Sequence, residues 1–170
     1  AKDENIWDLY GTRTRVQMQK ACPFELSTFE GYCLLTSSFF SAYMTNTEHR
    51  LLQAERDKAE DNTIILHDFF YKNYDLKIKY DPSDPLKPFV EFDEQIIGST
   101  AEAFGTIYGN GKLMCDQPVA YDSYYNVCQK FVILYTTIYV VGKGTVGTYV
   151  NILEWISDEE AEQYKKEEGL

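Results

Sequence analysis

The stretch CQKFVILYTTIYVVGKGTVGTYVNILEWI, residues 128–156, decides the fold. Phe131 to Val141 is an unbroken run of β-branched, aromatic and aliphatic residues, a poor helix former and a good strand former. Gly142-Lys143-Gly144 interrupts it, and a second run of the same character extends from Thr145 to Ile156. Two such runs joined by a short glycine-containing loop read as a β-hairpin. Alternation divides the first run into Phe131, Ile133, Tyr135, Thr137 and Tyr139 on one face and Val132, Leu134, Thr136, Ile138 and Val140 on the other. Neither face carries a charge, so both need cover, from packed elements or from a lined cavity. At Ser157-Asp158-Glu159-Glu160 the composition changes to that of a helix start, a capping serine followed by first-turn acids. The chain therefore ends as a long hairpin and then a helix.

Upstream, strand-like runs alternate with turn signals. Leu113 to Tyr121 and a turn at Asp122-Ser123-Tyr124-Tyr125-Asn126 lead into the hairpin. Ala103 to Tyr108 is a candidate strand, ended by Gly109-Asn110-Gly111, a strong hairpin-turn signal. Phe89 to Asp93 is short and alternating. Leu76 to Tyr80 alternates cleanly, with Leu76, Ile78 and Tyr80 inward and Lys77 and Lys79 outward, until Asp81-Pro82-Ser83-Asp84-Pro85 stops it. Thr63 to Tyr71 is strand-like after a turn at Ala59 to Asn62, and Tyr32 to Thr45 leans to β. Glu48 to Lys58 has helix-favouring residues but suits a barrel strand with a polar exterior, and is read as a strand. A first strand is expected near Thr12 to Gln19, broken by Cys22-Pro23, with Trp7, Leu9 and Tyr10 plugging one end of the sheet. About eight short strands at near-regular spacing and one terminal helix describe an antiparallel sandwich or barrel. No internal repeat or linker divides the 170 residues, which read as one domain.

Composition narrows the function. The chain has 44% hydrophobic residues, with 14 Tyr and 10 Phe, which excludes disorder and suits a β-rich fold or an aromatic-lined pocket. Its net charge of −11 makes nucleic acid and anionic membrane poor partners, since both need a basic surface. Residues 158–168 hold six acids and two lysines, a solvated acidic helix. No run approaches the roughly 18 uncharged apolar residues of a membrane span. There is no signal peptide, and a chain beginning AKDENIW is compatible with a mature form. Four cysteines, Cys22, Cys33, Cys115 and Cys128, form no C-x-x-C pair, and His49 and His67 are the only histidines, which argues against a zinc site. An even count in such a chain favours two disulfides, in a pairing left open, and a secreted protein.

Catalytic signatures are weak. G-x-S-x-G, G-x-x-x-x-G-K-[ST] and H-E-x-x-H are absent, and Gly142-Lys143-Gly144-Thr145 joins two strands rather than a strand to a helix. His67 and Asp68 are neighbours in a strand and point apart. Glu91, Asp93 and Glu102 are free carboxylates for a glycosidase-type pair, at a chance level among 27 acids. The expectation is a binding protein, not an enzyme, with no cofactor and no metal. A container rich in Tyr, Phe and Thr takes compact, partly apolar molecules by area and shape.

Several short stretches resemble the tick salivary lipocalins. They are Leu9-Tyr10-Gly11-Thr12-Arg13-Thr14 at the family's first strand, Cys33-Leu34-Leu35-Thr36-Ser37-Ser38 at the cysteine opening its second, and Tyr80 to Pro85 at a mid-barrel turn. Ala120 to Cys128 resembles the family's Tyr-x-x-x-x-x-Cys stretch, and Leu153-Glu154-Trp155 its Leu-Trp before the closing segment. Cysteines in or after the terminal helix, usual in amine-binding members, are missing, so the chain resembles an outlying branch near the Japanin-like immunomodulatory members. The resemblance implies an all-β, eight-stranded antiparallel lipocalin-type barrel with a C-terminal α-helix, secreted, that binds a host mediator or modulates host immune cells. Its implied cargo is a small lipophilic ligand such as cholesterol or a fatty acid, with biogenic amines or leukotrienes as the alternative. A receptor-binding immunomodulator that uses the barrel only as a scaffold, its partner a host immune-cell protein, is the third. The expected ligand contacts are Phe69, Tyr108, Tyr135, Thr137, Tyr139 and Trp155. Glu91 and Glu154, the acids within the best-defined strands, are the only anchors there for a cation, which favours the lipid.

Overall fold

A computed structural model describes residues 22–169. A 3₁₀ turn at Leu26–Phe29 precedes β1 (Gly31–Ser37), α1 (Ser38–Tyr43), β2 (Arg50–Arg56), β3 (Thr63–Leu66) and β4 (Leu76–Asp81). Then come β5 (Phe89–Glu91), β6 (Gln95–Ser99), α2 (Thr100–Phe104), β7 (Lys112–Asp116) and β8 (Ser123–Asn126). The chain finishes with β9 (Phe131–Val140), β10 (Gly144–Ile156) and α3 (Asp158–Glu168). β5 and β6 share one position in the wall and β7 and β8 the next: β5 pairs with β8, β6 with β7, and both β7 and β8 with β9. β10 pairs with β9 on one side and β1 on the other, which closes the ring. The result is a closed eight-stranded antiparallel barrel of lipocalin type with a C-terminal helix. Closure leaves the wall no free strand edge.

The long hairpin and the capped helix form as the sequence predicts. Ser157 Oγ accepts from the Glu160 amide while the Glu160 carboxylate accepts from the Ser157 amide, a reciprocal cap worth about 1 kcal/mol. The helix lies outside the barrel over β1, burying Ala161, with the Tyr164 hydroxyl donating to the His49 carbonyl. Leu76, Ile78 and Tyr80 point inward from β4 and the two lysines outward.

Elsewhere the ends of strands depart from expectation. The β-leaning run 32–45 stops at Ser37, whose hydroxyl accepts from the Phe39 amide and turns the chain into α1. Residues 103–108 are not a strand: Ser99 caps α2 by accepting from the Glu102 amide and bonding its carboxylate. β6 was hidden by Gly98, which lies at a bulge where an added Cβ would stand 2.7 Å from the Tyr71 ring. Residues 123–126, expected as a turn, are β8. The expected strand 12–19 and the plug of Trp7, Leu9 and Tyr10 lie outside the described residues.

The cysteine expectation is also corrected. One disulfide forms, Cys22–Cys128, tying the start of the described chain to the β8–β9 turn. Cys33 and Cys115 are free and fully buried. Cys33 sits on β1 opposite Trp155, and Cys115 on β7 opposite Ile138. Three strand spacings around the wall separate them, roughly 14 Å, against the roughly 7 Å between Cα atoms that a bridge tolerates.

Candidate functional site

In an up-and-down ring the connections β1–β2, β3–β4, β6–β7 and β9–β10 gather at one end. In a container this would be the mouth. Here it is filled with aromatic rings. Phe39 from α1 stacks on Phe70 from the β3–β4 connection, centroids 4.4 Å apart at 7°. Phe40 and Phe69 flank Phe70 at 5.8 and 4.7 Å, and Tyr149 meets Phe39 edge-on at 5.2 Å. Arg50 pins the β3–β4 connection by donating to the carbonyls of Asp68 (2.6 Å) and Phe69 (3.0 Å). Beside it His67 bridges Glu55 (2.8 Å) and Asp75 (3.3 Å). Burial alone pulls the imidazole pKa down, but hydrogen bonds to the two carboxylates outweigh it and the net shift is upward.

The opposite end is closed by Phe29 of the 3₁₀ turn, stacked on Tyr80 at 4.6 Å and edge-on to Trp155 at 5.1 Å and Tyr125 at 5.9 Å. Between these plugs the inner wall is dry. Leu35, Ile64, Leu76, Ile97, Leu134 and Leu153 each have 0% of their surface accessible. A void able to hold even a water would give its walls accessible area, so the barrel is filled by its own side chains. The buried polar groups on β1, β9 and β10 satisfy one another: Asn151 Nδ2 donates to the Leu134 carbonyl (2.9 Å) and Thr136 Oγ1 (3.0 Å), and Ser37 Oγ donates to Asn151 Oδ1. Three buried atoms have no partner among the described residues apart from an ion-paired acid: the hydroxyls of Tyr71 and Tyr80 and Trp155 Nε1. Burial pushes the Tyr80 phenol well up. The ion-paired acid is Asp57, whose Oδ2 lies 3.0 Å from Lys77 Nζ without hydrogen-bond alignment. A hydrogen bond from the Ala59 amide, then Lys77, holds the Asp57 carboxyl below its usual range.

The expected ligand contacts are scattered. Trp155 and Phe69 face inward and are buried in the two plugs. Tyr135, Thr137 and Tyr139 lie on the outer face of β9, a correction to their expected contact with a cargo in the barrel. β9 turns its smaller Val132, Leu134, Thr136, Ile138 and Val140 to an interior already occupied by phenylalanines. Tyr108 is exposed in the turn before β7, with Lys143 Nζ 5.2 Å from its ring centre. Glu91 and Glu154 are exposed on the outer faces of β5 and β10. Of the three carboxylates, Glu91 and Asp93 line one open cleft of about 540 Å³ with Lys77 and Lys79, while Glu102 is engaged in the α2 cap and does not line it.

What the structure does assemble is on the outer wall. Phe89, Tyr124, Ile133 and Ile152 stand in register across β5, β8, β9 and β10, all facing out. Tyr135 pairs with Val150 in the next outward row and is stacked by Tyr121 from the loop between β7 and β8, centroids 5.0 Å apart. Tyr121 and Phe89 also line a cleft of about 280 Å³ with Asp81, Glu91, Gln117 and Asp122. The Asp81 carboxyl there is held below its usual range by hydrogen bonds from the Ser83 hydroxyl and amide. The signal for this face was present in the uncharged alternation of residues 131–139; only the direction of the face was not.

The ring, its two plugs and its external helix define a lipocalin-type barrel with a filled interior. By sequence the chain belongs to the family described as Domain of unknown function (DUF4984), whose model matches residues 9–167. No curated protein and no solved structure matches it. Among the described residues no helix is long and apolar enough to cross a membrane.

Proposed function

We propose that this protein is a non-enzymatic binding protein in which the barrel is a solid scaffold and recognition takes place on its exterior. The observation that carries this reading is the lack of accessible surface along the inner wall, together with the ring stacking of Phe39 on Phe70 that fills the mouth. A lipophilic cargo would have to displace several fully buried aromatic side chains, each contributing roughly 1.5–3 kcal/mol by its burial. An exterior ligand displaces none. The disulfide fits an oxidising compartment, and secretion is part of the proposal. In the setting implied by the resemblance to the tick salivary lipocalins, the partner is a host immune-cell protein.

A second reading, a container for a sterol, a fatty acid or an amine, draws on one observation: Tyr80 Oη and Trp155 Nε1, both buried at the closed end, lack hydrogen-bond partners among the described residues. Thermal melting with cholesterol, oleic acid, histamine and serotonin separates the two. The scaffold reading expects no rise in melting temperature with any of them. A saturable rise with one, abolished by Leu134→Trp, would establish the container.

A further inference from the structure

The outer wall of β5, β8, β9 and β10 carries an apolar strip whose only charges on those strands are Glu91 of β5 and Glu154 of β10 at its margins, in a chain of net charge −11. Its central row, Phe89, Tyr124, Ile133 and Ile152, carries three side chains between 37 and 39% exposed around the less exposed Ile133. α3 lies over β1 and leaves this face uncovered among the described residues. The three spacings between these four strands, by the length of β9, amount to roughly 400–500 Å². That equals the largest apolar patch of a typical monomer and about half the 800 Å² per side of a standard interface. A second copy seated on this strip alone would be under-sized and would bring two acidic bodies together. A closed ring also offers no edge for strand addition, so a partner must dock by side chains on the face.

The rim identifies that partner's charge. At the β5 margin, the cleft holding Phe89 and Tyr121 is walled by Asp81, Glu91 and Asp122 and contains no lysine or arginine. Ring faces beside carboxylates favour a cation, and the acidic field of the whole chain draws one in. The Tyr121–Tyr135 stack makes cleft and strip continuous, so one segment can occupy both. We infer that this face docks a basic polypeptide segment, its lysine or arginine in the Phe89–Tyr121 cleft and its apolar side chains over Tyr124, Ile133 and Ile152. The inference rests on the scaffold reading and adds the place and the partner's chemistry.

The test uses the full chain and three labelled heptapeptides: alternating leucine and lysine, alternating leucine and glutamate, and alternating serine and lysine. Fluorescence anisotropy at physiological salt should show the leucine–lysine peptide binding at least tenfold more tightly than either other. Ile133→Ser with Ile152→Ser should weaken it at least tenfold, as should Glu91→Gln with Asp122→Asn, each variant keeping its melting temperature. Glu159→Gln with Glu162→Gln on α3 should leave it unchanged. Loss on the α3 variant alone, equal binding of the serine–lysine peptide, no binding, or a dimer in sedimentation broken by the Ile133 and Ile152 changes would each overturn the assignment. None of these results bears on whether the barrel is filled, which the melting series decides separately.

Discussion

The two faces of β9 have the same length, the same lack of charge and opposite fates. Val132, Leu134, Thr136, Ile138 and Val140 are buried; Phe131, Ile133, Tyr135, Thr137 and Tyr139 are half-exposed. Alternation separates the two sets but does not choose between them. The choice is made by volume: the interior already contains Phe29, Phe39, Phe69, Phe70, Tyr80 and Trp155, and only the smaller set fits beside them. The aromatic set, with its hydroxyls, is left for the wet side. A container would have required the reverse economy, with small side chains at the plugs and aromatic ones lining a space.

The contrast is broken most severely from inside. Leu134→Ala should cost about 2–5 kcal/mol in urea unfolding, because the packed neighbours cannot collapse into the space. Ile133→Ser, one residue away, should stay within about 1 kcal/mol of the parent. Equal costs would mean that the faces are misassigned. Next in size is the staple that holds the closed end: Cys128→Ser opens a loop whose cysteines are 106 residues apart and should lower stability by about 2–5 kcal/mol. A reduced wild-type chain that unfolds at the parent's urea midpoint would contradict that.

Smaller changes sharpen the comparison. Tyr80→Phe removes a buried hydroxyl without a partner among the described residues and should stabilise the barrel by about 1 kcal/mol. Destabilisation would reveal a bound water or ligand at the closed end. On the outside, His67 has a raised pKa between Glu55 and Asp75, relative to its ordinary 6.5. Its contribution is fully present below the unfolded-state value and is lost as the pH rises through the folded one. The stability measured by urea unfolding should therefore fall as the pH rises above about 6.5, by a few tenths of a kcal/mol since the carboxylates are half-exposed. His67→Gln should flatten that slope; an unchanged slope would assign it to other groups.

Much of the wall was legible because its signals are local. The 142–144 loop marks the hairpin, Ser157 and Glu160 mark the helix, and Leu76, Ile78 and Tyr80 mark a half-buried strand. Where the signals are set by neighbours, the reading failed. Gly98 looks like a strand breaker until Tyr71 is seen lying against it. Ser99 and Glu102 form a cap that was readable as S-x-x-E but was obscured by the apolar residues after it. The four cysteines looked like two pairs, though only Cys22, ahead of the 3₁₀ turn, and Cys128, in the β8–β9 turn, are brought together. The candidate site was least legible of all, because whether Tyr135 or Leu134 faces the interior depends on what Phe39 and Phe70, far away in sequence, already fill.

The central claim is that the barrel holds nothing but its own side chains. Native mass spectrometry of the full chain, incubated with excess cholesterol, oleic acid and histamine, tests it most directly. The account predicts the bare protein, with any adduct non-stoichiometric and unaffected by Leu134→Trp. A one-to-one complex that this substitution abolishes would contradict it.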